Sequence, residues 1–256
     1  MIARKFLIRL SALCATAFVL CVPTSANAIT ASNENNCKKC DEAYMKSNHF
    51  DRAYKCRGCF FNVYNELKGK VPTSCRHGQC LGREIYCGCP IYYEGTVKFE
   101  KGPLACKYEP PEGGTDDKRI DIEHIVPKSR FKKDNPEINN MWTNDFHNMY
   151  PGIRKINNKR QVKPYAEGKI SPPQYGRCET TIGNSFIHPR DASKGQIARA
   201  YLYMESIGAI RLTESEKSTY NKWHLNHRPQ KEECEREKII FSIQGKHNPF
   251  ISNYCK

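Results

Sequence analysis

Long apolar runs are almost absent from this 256-residue sequence. Beyond residue 28, no segment is apolar enough to predict a membrane span, which excludes a protein built from several membrane helices. Acidic residues are also few beside basic ones, with 27 Asp and Glu against 41 Lys and Arg and a net charge of +14. This excess of positive charge predicts a polyanionic partner, either nucleic acid or an anionic surface. Solubility alone is the alternative explanation of the charge.

The one apolar run lies at the N-terminus, in "MIARKFLIRLSALCATAFVLCVPTSANA". Three basic residues precede an apolar core from Leu10 to Val22, and the stretch ends in the small-residue pattern "ANA". The core is short for a bilayer span, so residues 1–28 are predicted to be a secretory signal peptide rather than an anchor. We therefore expect a periplasmic or secreted protein with no membrane attachment after signal removal.

Cysteines are abundant, and their number fits an exported chain. Two of the 14 lie in the predicted signal, which leaves an even number for an oxidising compartment, where most are expected to form disulfides. Residues 29–82 form a Cys-rich segment expected to be helical. In it, "CKKC" and "CRGC" favour a helical hairpin that joins Cys37 to Cys59 and Cys40 to Cys56. The same spacing fits a zinc ribbon, which is the alternative.

The rest of the chain predicts a mixture of strands and helices. "REIYCGCPIYYEGTVKFE" has the β-branched and aromatic content of a strand or hairpin, with a turn near Glu94-Gly95. The C-terminal half predicts helices in "SKGQIARAYLYMES", in "TESEKSTYNKWHLNH" after the capping box Thr213-x-x-Glu216, and at about 231–243 before Gly245. Further disulfides are expected to join these helices to one another or to the hairpin region, among the cysteines Cys87, Cys89, Cys106, Cys178, Cys234 and Cys255.

The stretch "RIDIEHIVPKSRF" carries the strongest chemical signal. It alternates like a half-buried strand yet places Glu123 beside His124. A neutral imidazole is a natural base for activating water, and a carboxylate oxygen or the amide oxygen of Asn157 or Asn158 suits Mg²⁺. Successive strand residues point to opposite faces, so the two side chains converge only if the strand bends or ends, as Pro127 suggests. The alternative is a buried structural histidine.

Seven blocks of sequence, from about residue 83 onward, are "IYCGC", "DIEHIVP", "DFHNMYPGIRKINNKR", "QYGRC", "GQIARAYLYM", "ECER" and "QGKHNPF". They occur in the same order as in the endonuclease I family of exported bacterial nucleases, which this part of the chain resembles. The resemblance implies an α+β, disulfide-stabilised fold with a ββα-metal core and a helical C-terminal half. Its domain is expected to span residues 83–256. The two strands would carry Glu123 with His124 and residues 145–149, and the helix would carry Asn157.

The resemblance also implies residue roles. His124 would be the general base, and Glu123 and Asn157 would bind the metal, which is expected to be Mg²⁺ with Mn²⁺ or Ca²⁺ as alternatives. The activity implied is non-specific endonucleolytic cleavage of DNA and RNA by a monomer, leaving 5′-phosphate ends. His147 and Asn148 are expected to fix the site loop rather than to react.

Two departures from the family pattern bear on these roles. The insertion that carries the family's phosphate-binding arginine is shorter here. Arg130, Lys132, Lys133 or Arg160 could take its place, and the candidate phosphate ligands are Arg130, Lys159 and Arg160. Thr143 stands where the family has a metal-site glutamate. Two rival functions follow: an inactive nucleic-acid-binding protein, and a ribonuclease specialist on the same scaffold.

Overall fold

A computed structural model describes residues 59–60, 63–64, 66–67, 81–94, 96–99, 106, 108–111, 118–132, 135–168 and 171–255. The predicted signal peptide and most of the Cys-rich segment lie outside these residues. Cys59 is described, and it is buried and disulfide-bonded, consistent with the predicted disulfide hairpin rather than with zinc. Its predicted pairing with Cys37 lies outside the described residues.

Strands and helices are mixed along the described chain, which confirms the predicted α+β class. The strands are β1 Gly82–Arg83, β2 Pro90–Glu94, β3 Thr96–Phe99, β4 Ile120–His124, β5 Met149–Ile153, β6 Thr181–Ile182 and β7 Ile187–His188. The helices are α1 Pro136–Thr143, α2 Arg154–Arg160, α3 Lys194–Ser206, α4 Glu214–Asn226, α5 Lys231–Gln244 and α6 Pro249–Ser252.

The strands form small antiparallel sheets. β1, β2 and β3 lie in that order in one sheet, and β6 pairs with β7 in another. Glu94 pairs with Thr96 at the end of the β2–β3 ladder, so the hairpin predicted for this region is confirmed.

The remaining sheet is the two-stranded pair of β4 and β5, whose register runs from Ile120 opposite Ile153 to His124 opposite Met149. α2 begins at the residue that follows β5. Two antiparallel strands followed at once by a helix form the ββα unit that the resemblance implied. The helix lies beside β4, because Arg154 and Asn157 both donate hydrogen bonds to that strand.

The second strand of this unit does not cover residues 145–149 as predicted. Phe146–Asn148 form a 3₁₀ turn, and the strand starts at Met149. Asp145 causes the difference, because its side chain caps the turn by accepting a hydrogen bond of 2.9 Å from the His147 amide. The "HN" pair therefore sits in a turn before the strand.

The C-terminal helices follow their local signals. Thr213 and Glu216 form the predicted capping box at the start of α4. α5 ends at Gln244, and Gly245 follows in the left-handed conformation with φ of 68°. Tyr201 and Trp223 are buried, so the aromatic side chains of α3 and α4 belong to the core.

Disulfides and a buried ion pair join distant parts of the chain. The disulfides with both partners in the described residues are Cys87–Cys178, Cys89–Cys106 and Cys234–Cys255. The first joins the hairpin region to the C-terminal half and the third lies within that half, as expected, whereas Cys89–Cys106 lies within the hairpin region and was not expected. Arg199 of α3 pairs with Glu233 of α5 at 2.6 Å, and both side chains are buried. In the described residues, no helix is both long and apolar enough to cross a membrane.

Residues of the Cys-rich segment share the core of the nuclease-like part. The Phe60 ring meets Phe146 edge to face with centroids 6.0 Å apart. Arg236 of α5 donates to the Tyr64 hydroxyl at 3.0 Å. The boundary predicted between residues 82 and 83 stays a prediction, although side chains on both sides of it belong to one hydrophobic cluster.

Candidate active site

His124 lies at the last residue of β4 and is partly exposed, unlike a buried structural histidine. Its Nε2 atom is 2.9 Å from the main-chain oxygen of Thr143, the last residue of α1. A carbonyl oxygen can only accept a hydrogen bond, so Nε2 carries a proton, and in the neutral form of the ring Nδ1 then carries the lone pair. This contact uses the main chain of residue 143, so threonine in place of glutamate leaves it intact.

The loop after His124 is held by Asn148, which is fully buried. Its Oδ1 accepts from the Val126 amide at 2.8 Å, and its Nδ2 donates to the Val126 carbonyl at 3.0 Å. The Ile125 amide donates to the main-chain oxygen of Asn148 at 2.9 Å. Asn148 therefore lies where a loop-fixing residue is expected, directly behind the histidine.

His147 is buried. Its Nε2 is 3.1 Å from the Lys246 carbonyl, and its Nδ1 is 3.4 Å from a carboxylate oxygen of Glu237. Its ring meets Tyr203 edge to face. These contacts tie the "HN" turn to α5 and to the segment after it, which agrees with a supporting rather than a reacting residue.

Glu123 lies on the opposite face of β4 from His124, in a closed polar cage. The Tyr86 hydroxyl donates to Oε2 at 2.6 Å, the Tyr165 hydroxyl donates to Oε1 at 3.2 Å, and Arg160 forms an ion pair with Oε1. The residue is 1% exposed. Burial raises the pKa of Glu123, whereas Arg160 and the two hydroxyls oppose that rise.

The two tyrosines of the cage remain protonated donors. Burial, followed by the neighbouring Glu123 carboxylate, raises the pKa of both Tyr86 and Tyr165 well above the ordinary value. Tyr86 reaches the carboxylate because residue 152 has no side chain. A Cβ atom there would lie 2.7 Å from the Tyr86 ring and 3.1 Å from the Glu123 Cβ. Gly152 is therefore required for the cage to close.

Arg160 is buried, with 1% of its surface exposed. Besides Glu123, it donates to the main-chain oxygens of His124 at 2.8 Å and Ile125 at 2.7 Å, and its guanidinium lies 4.5 Å from the Tyr165 ring centre. Burial alone would lower the pKa of Arg160, but the Glu123 carboxylate and the neighbouring tyrosines together outweigh this and raise it. The predicted phosphate-binding role does not fit this position, because the side chain is directed inward at the end of β4.

Arg130 is also engaged, in an ion pair with Glu216 of α4, and it donates to the Arg211 carbonyl at 3.3 Å. It could reach a phosphate only if that pair opened. Lys159 is exposed on α2, so among Arg130, Lys159 and Arg160 it is the most accessible cation.

Asn157 is partly exposed on the strand-facing side of α2. Its Nδ2 donates to the Ile122 carbonyl at 3.2 Å, which fixes the amide plane and leaves Oδ1 as the acceptor end of the side chain. The amide oxygen of Asn157 and the carboxylate of Glu123 are the hard oxygen donors that Mg²⁺ prefers, and Mg²⁺ commonly completes its shell with water and substrate phosphate. The donor types therefore fit the predicted cation.

The two predicted ligands differ in access. Asn157 is accessible in its observed position. Glu123 could bind a metal ion only by giving up a contact with Arg160. Among the described residues, no three His, Cys, Asp or Glu side chains are grouped so as to hold a metal ion. The metal roles of both residues stay predictions.

The cage residues could not be identified from the sequence. Tyr86 and Tyr165 lie 37 and 42 positions from Glu123, and neither carries a motif that signals such a contact. The sequence places Arg160 three residues after Asn157 but does not indicate that Glu123 is its partner. The pairing is visible only once α2 is placed beside β4.

The first strand of the hairpin ends in a histidine oriented by a main-chain carbonyl, and the helix that follows carries Asn157. This is the ββα arrangement that the resemblance implied. A sequence model of the endonuclease I family matches residues 32–255, and the chain belongs to this family. The match also covers most of the Cys-rich segment.

Individual relatives agree with this assignment. An extracellular deoxyribonuclease of Aeromonas hydrophila is 32% identical over 191 residues, covering 67% of this chain and 81% of the relative. A periplasmic deoxyribonuclease of the same organism is 31% identical, covering 67% and 79%. An Endonuclease-1 of Buchnera aphidicola (subsp. Acyrthosiphon pisum, strain APS) is 33% identical, covering 75% and 82%.

Proposed function

We propose that this chain is an exported, metal-dependent endonuclease that hydrolyses DNA and RNA phosphodiester bonds without strong sequence specificity and leaves 5′-phosphate ends. The observation that carries the proposal is the orientation of His124 by the Thr143 carbonyl on a ββα unit. The deoxyribonuclease names of the relatives support DNA as a substrate. Those names also support a periplasmic or extracellular location.

His124 acts as the general base in this proposal. With Nε2–H donated to the carbonyl oxygen, Nδ1 accepts the proton of the attacking water, and Asn148 prevents the strand end from shifting. Mg²⁺, with Mn²⁺ or Ca²⁺ as alternatives, would be held by Asn157 and Glu123 and, when bound, would supply charge stabilisation at the phosphoryl and leaving oxygens. Orientation of the ring needs no contribution from the side chain of Thr143.

Substrate binding should depend on charge rather than on base identity. The chain carries a net charge of +14, and Lys159 is exposed on the helix of the ββα unit. Lysine binds phosphate as a point charge, so affinity should be sequence-tolerant and should weaken steeply with salt. We further propose that the protein acts as a monomer with its disulfides formed, because the cage around Glu123 needs no second chain.

The test is parallel digestion of plasmid DNA and RNA by the oxidised protein from residue 29 onward, with Mg²⁺, Mn²⁺, Ca²⁺ or EDTA, followed by end-labelling of the products. The proposal expects cleavage of both substrates with metal, none with EDTA, and ends that accept label only after dephosphorylation. Cleavage of RNA alone would establish the ribonuclease specialist instead. Retention of DNA without any cleavage would establish the binding protein, which the neutral Thr143 and the paired Glu123 favour.

A further inference from the structure

The carboxylates of β4 are both neutralised by arginines of α2. Glu123 pairs with Arg160, with side chains 1% and 2% exposed. Asp121 pairs with Arg154, whose Nε and Nη2 atoms approach the carboxylate at 2.6 to 3.0 Å, with side chains about a third exposed. The first pair lies in the candidate metal site, whereas the second is nearer to solvent at the opposite end of the same helix.

This pairing leaves the candidate metal site without net negative charge. Glu123 contributes one negative charge and Arg160 one positive charge, while Asn157, Thr143, Tyr86 and Tyr165 contribute none. A divalent cation placed beside Glu123 would also lie close to the guanidinium, which is held in place by the carbonyls of His124 and Ile125. Like charges a few ångströms apart repel strongly in a protein interior.

We propose that Arg160 makes cation binding dependent on the nucleic acid. The free protein holds a divalent cation weakly, and the phosphate of a bound strand supplies the negative charge that Arg160 cancels. Cation and substrate then bind with positive coupling, each raising the affinity for the other by the same factor. Arg160 acts through Glu123 and is a positioning residue. This inference rests on the proposed nuclease function.

The test measures Mn²⁺ binding by electron paramagnetic resonance of free Mn²⁺, using the oxidised protein with and without a phosphorothioate oligonucleotide. The oligonucleotide alone is titrated as the blank. For the wild type, Mn²⁺ should bind at least about tenfold tighter with the oligonucleotide present. Fluorescence anisotropy of the labelled oligonucleotide should show the same factor on adding Mn²⁺. Equal Mn²⁺ affinity with and without the oligonucleotide would overturn the inference.

Three variants distinguish the effect of the Arg160 charge on Mn²⁺ affinity from the structural effect of opening an arginine–carboxylate pair. Arg160→Gln should bind Mn²⁺ at least about tenfold tighter than the wild type without oligonucleotide, because one positive charge is lost from the site. Arg160→Lys retains the charge and should remain as weak as the wild type. Arg154→Gln is the matched control, because it opens the other arginine–carboxylate pair between the same strand and helix, and it should leave Mn²⁺ affinity unchanged.

Circular dichroism and thermal unfolding show whether each variant is folded. Unchanged Mn²⁺ affinity in folded Arg160→Gln would contradict the role of Arg160. If that variant does not fold, the wild-type comparison with and without oligonucleotide decides the inference alone. Plasmid digestion by the wild type runs in parallel. Cleavage combined with tight, substrate-independent Mn²⁺ binding rejects the inference and keeps the proposed function, whereas no cleavage with any metal rejects the function itself.

Discussion

Replacement of Asn148 by alanine should destabilise the protein and displace the loop behind His124. The side chain is fully buried and makes two hydrogen bonds to the main chain of Val126, at 2.8 and 3.0 Å. Alanine would leave a buried amide and a buried carbonyl without these partners, each at a cost of about 1–3 kcal/mol. The expected loss in unfolding free energy is therefore about 2–6 kcal/mol, a large part of the total stability of a typical domain.

The assay is calorimetric unfolding of the oxidised protein beside an Asn158→Ala control. Asn158 is exposed on α2, so its variant should unfold within about 1 °C of the wild type. Each kcal/mol shifts Tm by about 2–4 °C in a domain of this size, so Asn148→Ala should melt at least 4 °C lower. A variant that melts with the wild type and retains full nuclease rate would refute the reasoning that this side chain fixes the loop.

Further predictions concern pH, redox state and salt. Burial and two neighbouring arginines lower the pKa of His224 below its usual 6.5. As the pH falls, His224 is therefore protonated in the unfolded chain before it is protonated in the folded chain. The contribution of His224 to the free energy of unfolding is therefore complete above about pH 6.5 and decreases at lower pH. Denaturant titrations of His224→Phe should show a smaller loss of unfolding free energy between pH 7 and 5 than those of the wild type. The Cys87–Cys178 disulfide joins residues 91 positions apart, and its reduction should lower the free energy of unfolding by about 2–5 kcal/mol and lower the nuclease rate. Full activity with a thiol reductant that cleaves the bond would contradict this. Lys159→Gln should reduce the slope of log nucleic-acid affinity against log salt concentration by the amount expected for the loss of about one phosphate contact. Lys222→Gln, on the exposed side of α4, should leave the slope unchanged.

Features set by neighbouring residues were predictable from the sequence. The capping box of α4 and the glycine after α5 act within one helical turn, and both were confirmed. The alternation around His124 likewise identified β4. The 3₁₀ turn at 146–148 did not follow from the strand pattern, because the capping carboxylate of Asp145 competes with strand formation.

The surroundings of Glu123 were beyond sequence reasoning for a different physical reason. Each partner reaches the carboxylate from a different element: Tyr86 from the loop before β2, Arg160 from α2, and Tyr165 from the segment after it. Such contacts depend on how elements pack, and strand alternation indicates only which face a side chain occupies. A resemblance can likewise assign a ligand role without revealing which cation is already beside the ligand.

The most direct test of the general-base role is the rate of plasmid cleavage by His124→Ala beside the wild type, across about pH 5 to 8 with Mg²⁺. The account predicts a wild-type rate that falls as imidazole is protonated, and a variant with about a hundredth of that rate or less. Unfolding curves that coincide would show that the variant is folded. A folded variant that retains the wild-type rate, or a wild-type rate that is flat over this pH range, would contradict the role of His124.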